Sequence, residues 1–244
     1  NCLDVYLTKG RYAVGGNALN VAAQWQRQGL DARYFGRVGS DAEADLMLAA
    51  IENAGLSRAD VEVVAGATAV TLLLERNGDR RFLLEDLGVG LNYMPAPDHY
   101  AAMQAADWVH LGTNSNPDLI RRMVRDGLAF SLDVSTAHEA LALAGVPLVF
   151  AAGPEDASVP VDPIFAAFRK RGAGKIVLTC GRRGAYFDDG QTRHHEPARP
   201  IEVVDTCGAG DSFIAAFVVA HVFGKSQAPA ALSIATSAAA QTCL

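Results

Sequence analysis

The sequence predicts an α/β fold with a central, mostly parallel sheet, and three observations carry that reading. Short apolar runs alternate with longer stretches of helical periodicity. The runs are continuously apolar instead of alternating, as strands covered on both faces are. Glycine-rich turns follow several of the runs, where open α/β sheets bind their ligands.

Strands are expected over Asn1–Leu7, Arg33–Val38, Trp108–Leu111, Leu128–Leu132, Leu148–Ala151, Lys175–Cys180 and Ala185–Phe187, and a β-type run over Ile201–Val204. Helices are expected over Val21–Gln28, Asp118–Arg125, Ala137–Leu143 and Pro163–Arg171, and after Asp211, where Ile214, Phe217, Val218 and His221 share a face. A further helix opens at Ser40 with Glu43 completing a capping box, its apolar face read as Leu46, Ala49, Ala50 and Ala54. Pro95, Pro97 and Pro117 are read as punctuating loops. Thr68–Arg76 and Arg80–Glu85 break the rhythm as a hairpin around Asn77-Gly78, a pair that tolerates the left-handed backbone of tight hairpin turns. Such an insertion is expected to project as a small flap. The reading is one domain over 1–244, with the flap formed around 5–14 and 61–87.

Composition narrows the function. Half of the 244 residues are hydrophobic, which excludes intrinsic disorder. A net charge of −6 argues against sequence-independent nucleic-acid binding, which needs Lys and Arg against phosphate. No apolar run approaches the ~18 residues of a membrane span. Cys2, Cys180, Cys207 and Cys243 form no C-x-x-C pair, so the usual zinc and redox spacings are missing, and a cytoplasmic setting is expected. The chain opens at Asn1 without Met, so a few preceding residues are expected.

The sharpest motif is Asp205-Thr206-Cys207-Gly208-Ala209-Gly210-Asp211, placed where a loop becomes a helix. The first N–H groups of a helix have no helical partner and carry the positive end of its dipole, which makes an anion site. A carboxylate beside that site is repelled by the anion unless it has a task, such as accepting the proton of a hydroxyl that attacks a phosphoryl group. The plain alternative is an acidic residue favoured by the dipole in the first turn. A second cluster, Gly15-Gly16-Asn17-Ala18-Leu19-Asn20, offers amides suited to sugar hydroxyls, or a glycine turn with an Asn cap. Asp4, a charge in a strand-like run just upstream, marks a strand end or a ligand contact. A third cluster, Thr179-Cys180-Gly181-Arg182-Arg183-Gly184, ends a strand, as a ligand-binding turn or a plain hairpin. Gly172-Ala173-Gly174-Lys175 is not a P-loop: Arg169 and Ile176 break the pattern, and it precedes a strand. His194-His195-Glu196 is read as a solvated strand or loop, since neighbours on a strand point to opposite faces.

Together the three clusters resemble the ribokinase-like (PfkB) carbohydrate kinases, from Asp4 nearly to the C-terminus. DTCGAGD is similar to that family's signature, GGNALN to its sugar-binding motif and TCGRRG to its nucleotide loop. The resemblance implies a three-layer α/β/α fold with a small β lid, and ATP-dependent phosphorylation of a sugar hydroxyl. It makes Asp211 the catalytic base, with Gly208, Ala209 and Gly210 as the anion hole. Asp4, Gly15, Gly16, Asn17 and Asn20 would hold the sugar, and Thr179, Gly181, Gly184 and Thr206 the ATP. It implies Mg2+, with a monovalent cation such as K+ near Asp205 and Cys207, and allows a homodimer through the lid.

Two departures stand out. Many family members carry Asn-x-x-Glu where this chain has Ala152-Gly153-Pro154-Glu155-Asp156, so Glu155 or Asp156 must serve the metal, with Asp205 beside them. Only Val5–Val14 separates Asp4 from Gly15, shorter than in ribokinases. Both features look more like the fructoselysine 6-kinase branch, with Arg81, Glu85 and Asp86 as candidates to meet a zwitterionic substituent. The alternatives are a ribokinase or fructokinase, a nucleoside kinase (for which Tyr6 and Tyr12 are the only aromatics near the sugar motif), and a non-catalytic sugar-binding regulator.

Overall fold

A computed structural model describes residues 1–76, 79–139 and 141–244, with side chains described outside 75–82. The chain divides into two compact units, Asn1–Ala102 and Met103–Leu244.

In the first unit, β1 (Cys2–Tyr6) pairs antiparallel with β2 (Arg11–Gly15) and parallel with β5 (Val70–Arg76), which pairs antiparallel with β6 (Asp79–Asp86). These four strands make one sheet in the order β2-β1-β5-β6. The Asn77-Gly78 turn and the side chain of Arg81 lie outside the described residues. A separate parallel pair joins β3 (Gly36–Val38) to β4 (Val61–Val63). Helices α1 (Asn17–Arg27) and α2 (Ala42–Asn53) pack Leu19, Met47, Leu48 and Ile51 with Leu3 and Val38 into one core.

The sequence expectation for α2 needs two corrections. Its cap is Asp41, not Ser40: the Asp41 carboxylate accepts from Ala44 N–H at 3.0 Å and from Thr68 Oγ1 at 2.6 Å. Its buried face is Ala44, Met47, Leu48 and Ile51, while Leu46 is 37% exposed. The period was legible, but alanines at 49, 50 and 54 gave no purchase on the phase. Helix α3 (Pro97–Ala105) lies where the sequence suggested a loop; proline at the first helical position has a preset φ and gives up no needed hydrogen bond.

In the second unit, β7 (Val109–Leu111), β8 (Phe130–Asp133), β9 (Leu148–Ala152) and β10 (Lys175–Thr179) are parallel, and β11 (Ala185–Asp188) and β12 (Arg193–Glu196) extend the sheet antiparallel. Helix α4 (Pro117–Arg125) crosses from β7 to β8 and α5 (Asp162–Lys170) from β9 to β10. Helix α6 (Ala209–Val218), continued by a π-turn over Val219–Phe223, packs on α7 (Ala228–Thr242). Phe130, Phe150, Phe165, Phe168 and Phe217 are fully buried at its centre. His194 and His195 sit on β12 on opposite faces, stacked on Phe187 and Tyr186 respectively, as an adjacent strand pair must.

Two expectations fail in this unit, and one helix goes unforeseen. Ala137–Leu143 is not helical where described, Ala140 lying outside the described residues. The carbonyls of His138, Glu139 and Leu141 accept from the Arg171 guanidinium and so leave the helical ladder. Ile201–Val204 is not a strand: Pro197 and Pro200 precede it, Val204 is 75% exposed, and its N–H reaches the Cys243 carbonyl instead of a neighbouring strand. Helix α7 escaped notice because its alanine-rich sequence has no clear apolar stripe.

Among the described residues, no helix is long and apolar enough to cross a membrane, and no disulfide joins any of the four cysteines.

Candidate active site

Each unit carries part of the predicted site. In the first, Gly15 closes β2 and Gly16 caps α1, so the chain turns from sheet to helix across the pair. A Cβ on Gly15 would stand 3.6 Å from Asp4 Oδ2 and 3.7 Å from Asn20 Nδ2, so the carboxylate and the amide flank the same glycine. Helix α1 has no side-chain cap, so Asn17 and Asn20 are not there to cap it. Cys2 Sγ donates to Asp4 Oδ1 at 3.0 Å. Burial, and then the Asp4 charge, push the Cys2 thiol up to about 12, which keeps it a donor at neutral pH. Asn17, Asn20, Gly15 and Gly16 thus stand with Asp4 at one sheet–helix junction.

In the second unit, candidate residues collect at the carboxyl ends of β8, β9 and β10 and at the start of α6, where α/β sheets present ligand sites. After β10 the chain makes a single 3-10 turn, Gly181–Arg183, closed by Cys180 N–H to the Gly184 carbonyl at 2.8 Å. Gly184 has φ +90°, and a Cβ there would lie 2.0 Å from the Glu196 carbonyl, so only glycine fits. The segment after β9 runs alongside: Gly153 N–H donates to the Thr179 carbonyl at 2.9 Å, and Glu155 lies against Gly181, its Cδ 2.9 Å from a built Cβ. Glu155 is therefore at the predicted nucleotide turn. Asp156 faces its own loop, its Oδ1 accepting from Ser158 N–H at 2.8 Å.

Gly208 caps α6 with φ +74°, a left-handed conformation that turns the preceding loop into the helix axis. Asp205 Oδ1 accepts from Cys207 N–H at 2.9 Å, and Ala209 N–H reaches the Thr206 carbonyl at 3.3 Å, so the signature loop is wound tightly. Nothing lies within 4 Å of a Cβ built on Gly210, which leaves the first turn open to a ligand. Asp211 is the acidic residue of that turn, and from Ser212 onward the helix is buried.

Asp133, which closes β8, is the residue that sequence reasoning missed. Its Oδ1 accepts from Ser135 N–H at 2.8 Å, and it is 8% exposed. Burial first, and then the negative charge of Asp211, push its carboxyl up to about 7. A carboxylate ending an apolar parallel strand was the available signal. The unfolded chain releases this proton near 3.8. Between that pH and about 7 folding takes a proton up, so the stability this group contributes is lost as pH rises through the window. Asp133→Asn, always neutral, is expected to gain roughly 2 kcal/mol on the parent between pH 5 and pH 8. Urea unfolding at both pH values checks this; an equal difference at the two would contradict it.

Comparisons with known proteins identify the family. The sequence pattern of the pfkB family carbohydrate kinase matches residues 2–126 and 132–244. The chain belongs to the pfkB family of carbohydrate kinases. It is 29% identical over 248 residues to the fructoselysine 6-kinase of Escherichia coli K12, covering 99% of this chain and 94% of that one. It is 28% identical to a fructosamine kinase of Bacillus subtilis, covering 100% of this chain and 88% of the relative. Among solved structures it resembles Arabidopsis thaliana ribokinase complexed with ribose and ATP, at 20% identity with a TM-score of 0.82, covering 99% of this chain and 88% of that one. The fold is thus the three-layer α/β/α arrangement of the ribokinases, as the sequence predicted, and the chain is a sugar kinase.

Proposed function

We propose that this pfkB-family kinase transfers the γ-phosphoryl group of ATP to a hydroxyl of a fructosamine such as fructoselysine. The observation that carries the kinase chemistry is Asp211 in the first turn of α6, three residues after left-handed Gly208. In this reading the substrate hydroxyl attacks the γ-phosphorus and the bond from that phosphorus to the bridging oxygen of ADP breaks. The hydroxyl proton passes to the Asp211 carboxylate. The Gly208, Ala209 and Gly210 backbone receives the charge spread over the phosphoryl oxygens. Asp4 and the Asn17 and Asn20 amides hold the sugar hydroxyls. Thr179, Gly181, Gly184 and Thr206 line the nucleotide.

No group of three or more His, Cys, Asp or Glu side chains among the described residues could hold a metal ion by itself. Mg2+ is usually held by one or two carboxylates together with substrate phosphates, so it needs no such cluster. In this reading Glu155, beside Gly181, holds it, with Asp156 and Asp205 as further candidates. When bound, Mg2+ neutralises charge on the β- and γ-phosphates. A monovalent cation near Asp205 and Cys207 belongs to the same proposal. So does a flap function for the β2-β1-β5-β6 sheet, whose Tyr12 and Leu84, both over half exposed, offer apolar surface to a second copy.

The fructosamine assignment is supported by two relatives that match nearly the whole chain and by the brevity of the β1–β2 connection, a four-residue turn over 7–10. A short excursion leaves room for a substituent beside the sugar. Glu85 and Asp86 on β6 are the acidic residues available there; Asp86 Oδ1 accepts from Gly88 N–H at 2.9 Å. Contacts to a remote substituent raise kcat/KM when they are realised in the transition state. The expected result is a kcat/KM for fructoselysine about tenfold or more above those for fructose and ribose. Preference for a free sugar would overturn the substrate and leave the kinase.

A further inference from the structure

We propose that Arg183 is a positioning residue that locks the 154–159 loop to the turn after β10 and so fixes Glu155 for Mg-ATP. This rests on the reading of Gly181–Gly184 as the nucleotide turn. One guanidinium nitrogen, Nη1, donates to the carbonyls of Pro154 at 3.2 Å, Asp156 at 2.9 Å and Val159 at 2.9 Å. The guanidinium stands over the Tyr186 ring, 5.8 Å from its centroid. Tyr186 is stacked on His195 at 4.3 Å, and His195 Nε2 lies 2.7 Å from the Arg183 carbonyl. Both ends of the residue are therefore anchored on β11 and β12.

The loop has little else to hold it. Residues 155–160 are all exposed, Val159 to 44%, so no apolar burial fixes them. Its internal bonds are Ser158 N–H to Asp156 Oδ1 at 2.8 Å and Val159 N–H to the Asp156 carbonyl at 3.1 Å. Both stay within three residues and do not tie the loop to the sheet. Arg183 supplies that tie through three backbone acceptors, independently of which side chains the loop carries. The neighbouring Arg182 grips the loop by a side chain instead of its backbone: its N–H and its 88% exposed guanidinium both reach Glu155 Oε1, each at 3.4 Å. Glu155, the first residue after Pro154, thus sits between a carbonyl held by Arg183 and the Gly181 backbone. A carboxylate meant to meet a metal that arrives with its substrate must be placed in advance, because every freedom it keeps is lost on binding.

The test has two arms. In hydrogen exchange on nucleotide-free protein, Arg183→Ala should make the Ser158 and Val159 amides exchange faster, while peptides from β8 and α6 keep the parent rates. In steady-state kinetics the same variant should raise KM for Mg-ATP by about tenfold or more, the range for losing hydrogen bonds made by a charged group. KM for the sugar should stay within about twofold, as expected for a site that does not share its partners. Arg183→Lys, which keeps a cationic donor, should recover part of the Mg-ATP effect. Unchanged exchange in the loop overturns the clamp. Faster exchange with equal changes in both KM values overturns the positioning role and leaves a structural one. A parent protein that transfers nothing from Mg-ATP to any sugar sinks the kinase reading and the nucleotide half of this proposal; the exchange arm still decides the clamp.

Discussion

Asp211→Asn is expected to lower kcat by about 10²–10⁴, the range that a general base contributes. The substitution keeps the size and the hydrogen-bonding shape of the side chain and removes its capacity to take a proton at neutral pH. Helix α6 should survive: its left-handed entry belongs to Gly208, and its packing begins at Ser212, neither of which the substitution alters. Affinity for ATP and sugar, measured by calorimetry, should therefore stay near the parent value. Removing a negative charge beside an anion site can only favour nucleotide binding, so a weaker affinity would signal a structural fault. Retention of more than about a tenth of kcat would exclude Asp211 as the base.

Asp188→Ala is expected to cost about 3 kcal/mol of stability, at the lower end of the range for breaking a buried ion pair because its arginine partners keep some solvent contact. Asp188, at the end of β11, has a side chain only 12% exposed and receives two guanidinium groups. Arg169 bonds its Oδ1 and, at 2.7 Å, its backbone carbonyl; Arg193 Nε bonds Oδ2 at 2.9 Å. Gly190 N–H adds a bond to Oδ1 at 2.9 Å. Burial pushes this carboxyl upward, but the two arginines and Gly190 outweigh it and hold it below the usual carboxylate range. The stability it contributes is thus complete above the ordinary carboxylate pKa and is lost as pH falls through its depressed folded value. Truncation leaves Arg169 and Arg193 at the sheet without their shared acceptor, although Arg193 keeps Asp162 and the face of Phe165. Asp188 pairs in register with Ile176, near the start of β10, while Thr179 and the nucleotide turn lie at its far end. Three residue steps along the strand separate the two, about 10 Å, so kcat should hold wherever the variant is folded. Guanidinium unfolding at pH 7 checks the cost; a loss below about 1 kcal/mol would place this pair with surface ion pairs.

The turns of the candidate site and the parallel strands were both legible in the sequence. Gly184 could be read because it answers a backbone demand that no other residue meets, and Gly208 because glycine meets its left-handed turn at least cost. The parallel strands were legible for a similar reason: Leu148–Ala152 and Lys175–Thr179 are continuous apolar runs that end at polar turns. The misses came where tertiary contacts decide. Arg171 draws the His138, Glu139 and Leu141 carbonyls out of a helical ladder, and no local pattern foretells a partner thirty residues away. The β-branched run at 201–204 has the composition of a strand but no strand to pair with. In α2 the helical period was clear, but alanine-rich positions hid which face is buried. Asp133 and Arg183 share one cause: each matters through what the fold brings to it, a second carboxylate for one and three carbonyls for the other.

The measurement that tests the central claim most directly is phosphorus NMR of the purified protein with Mg-ATP and fructoselysine. The account predicts a new phosphomonoester resonance on the sugar, growing one-for-one with ADP and absent with Asp211→Asn. ADP released with inorganic phosphate and no ester, or no turnover of ATP with fructoselysine, fructose or ribose, would contradict it.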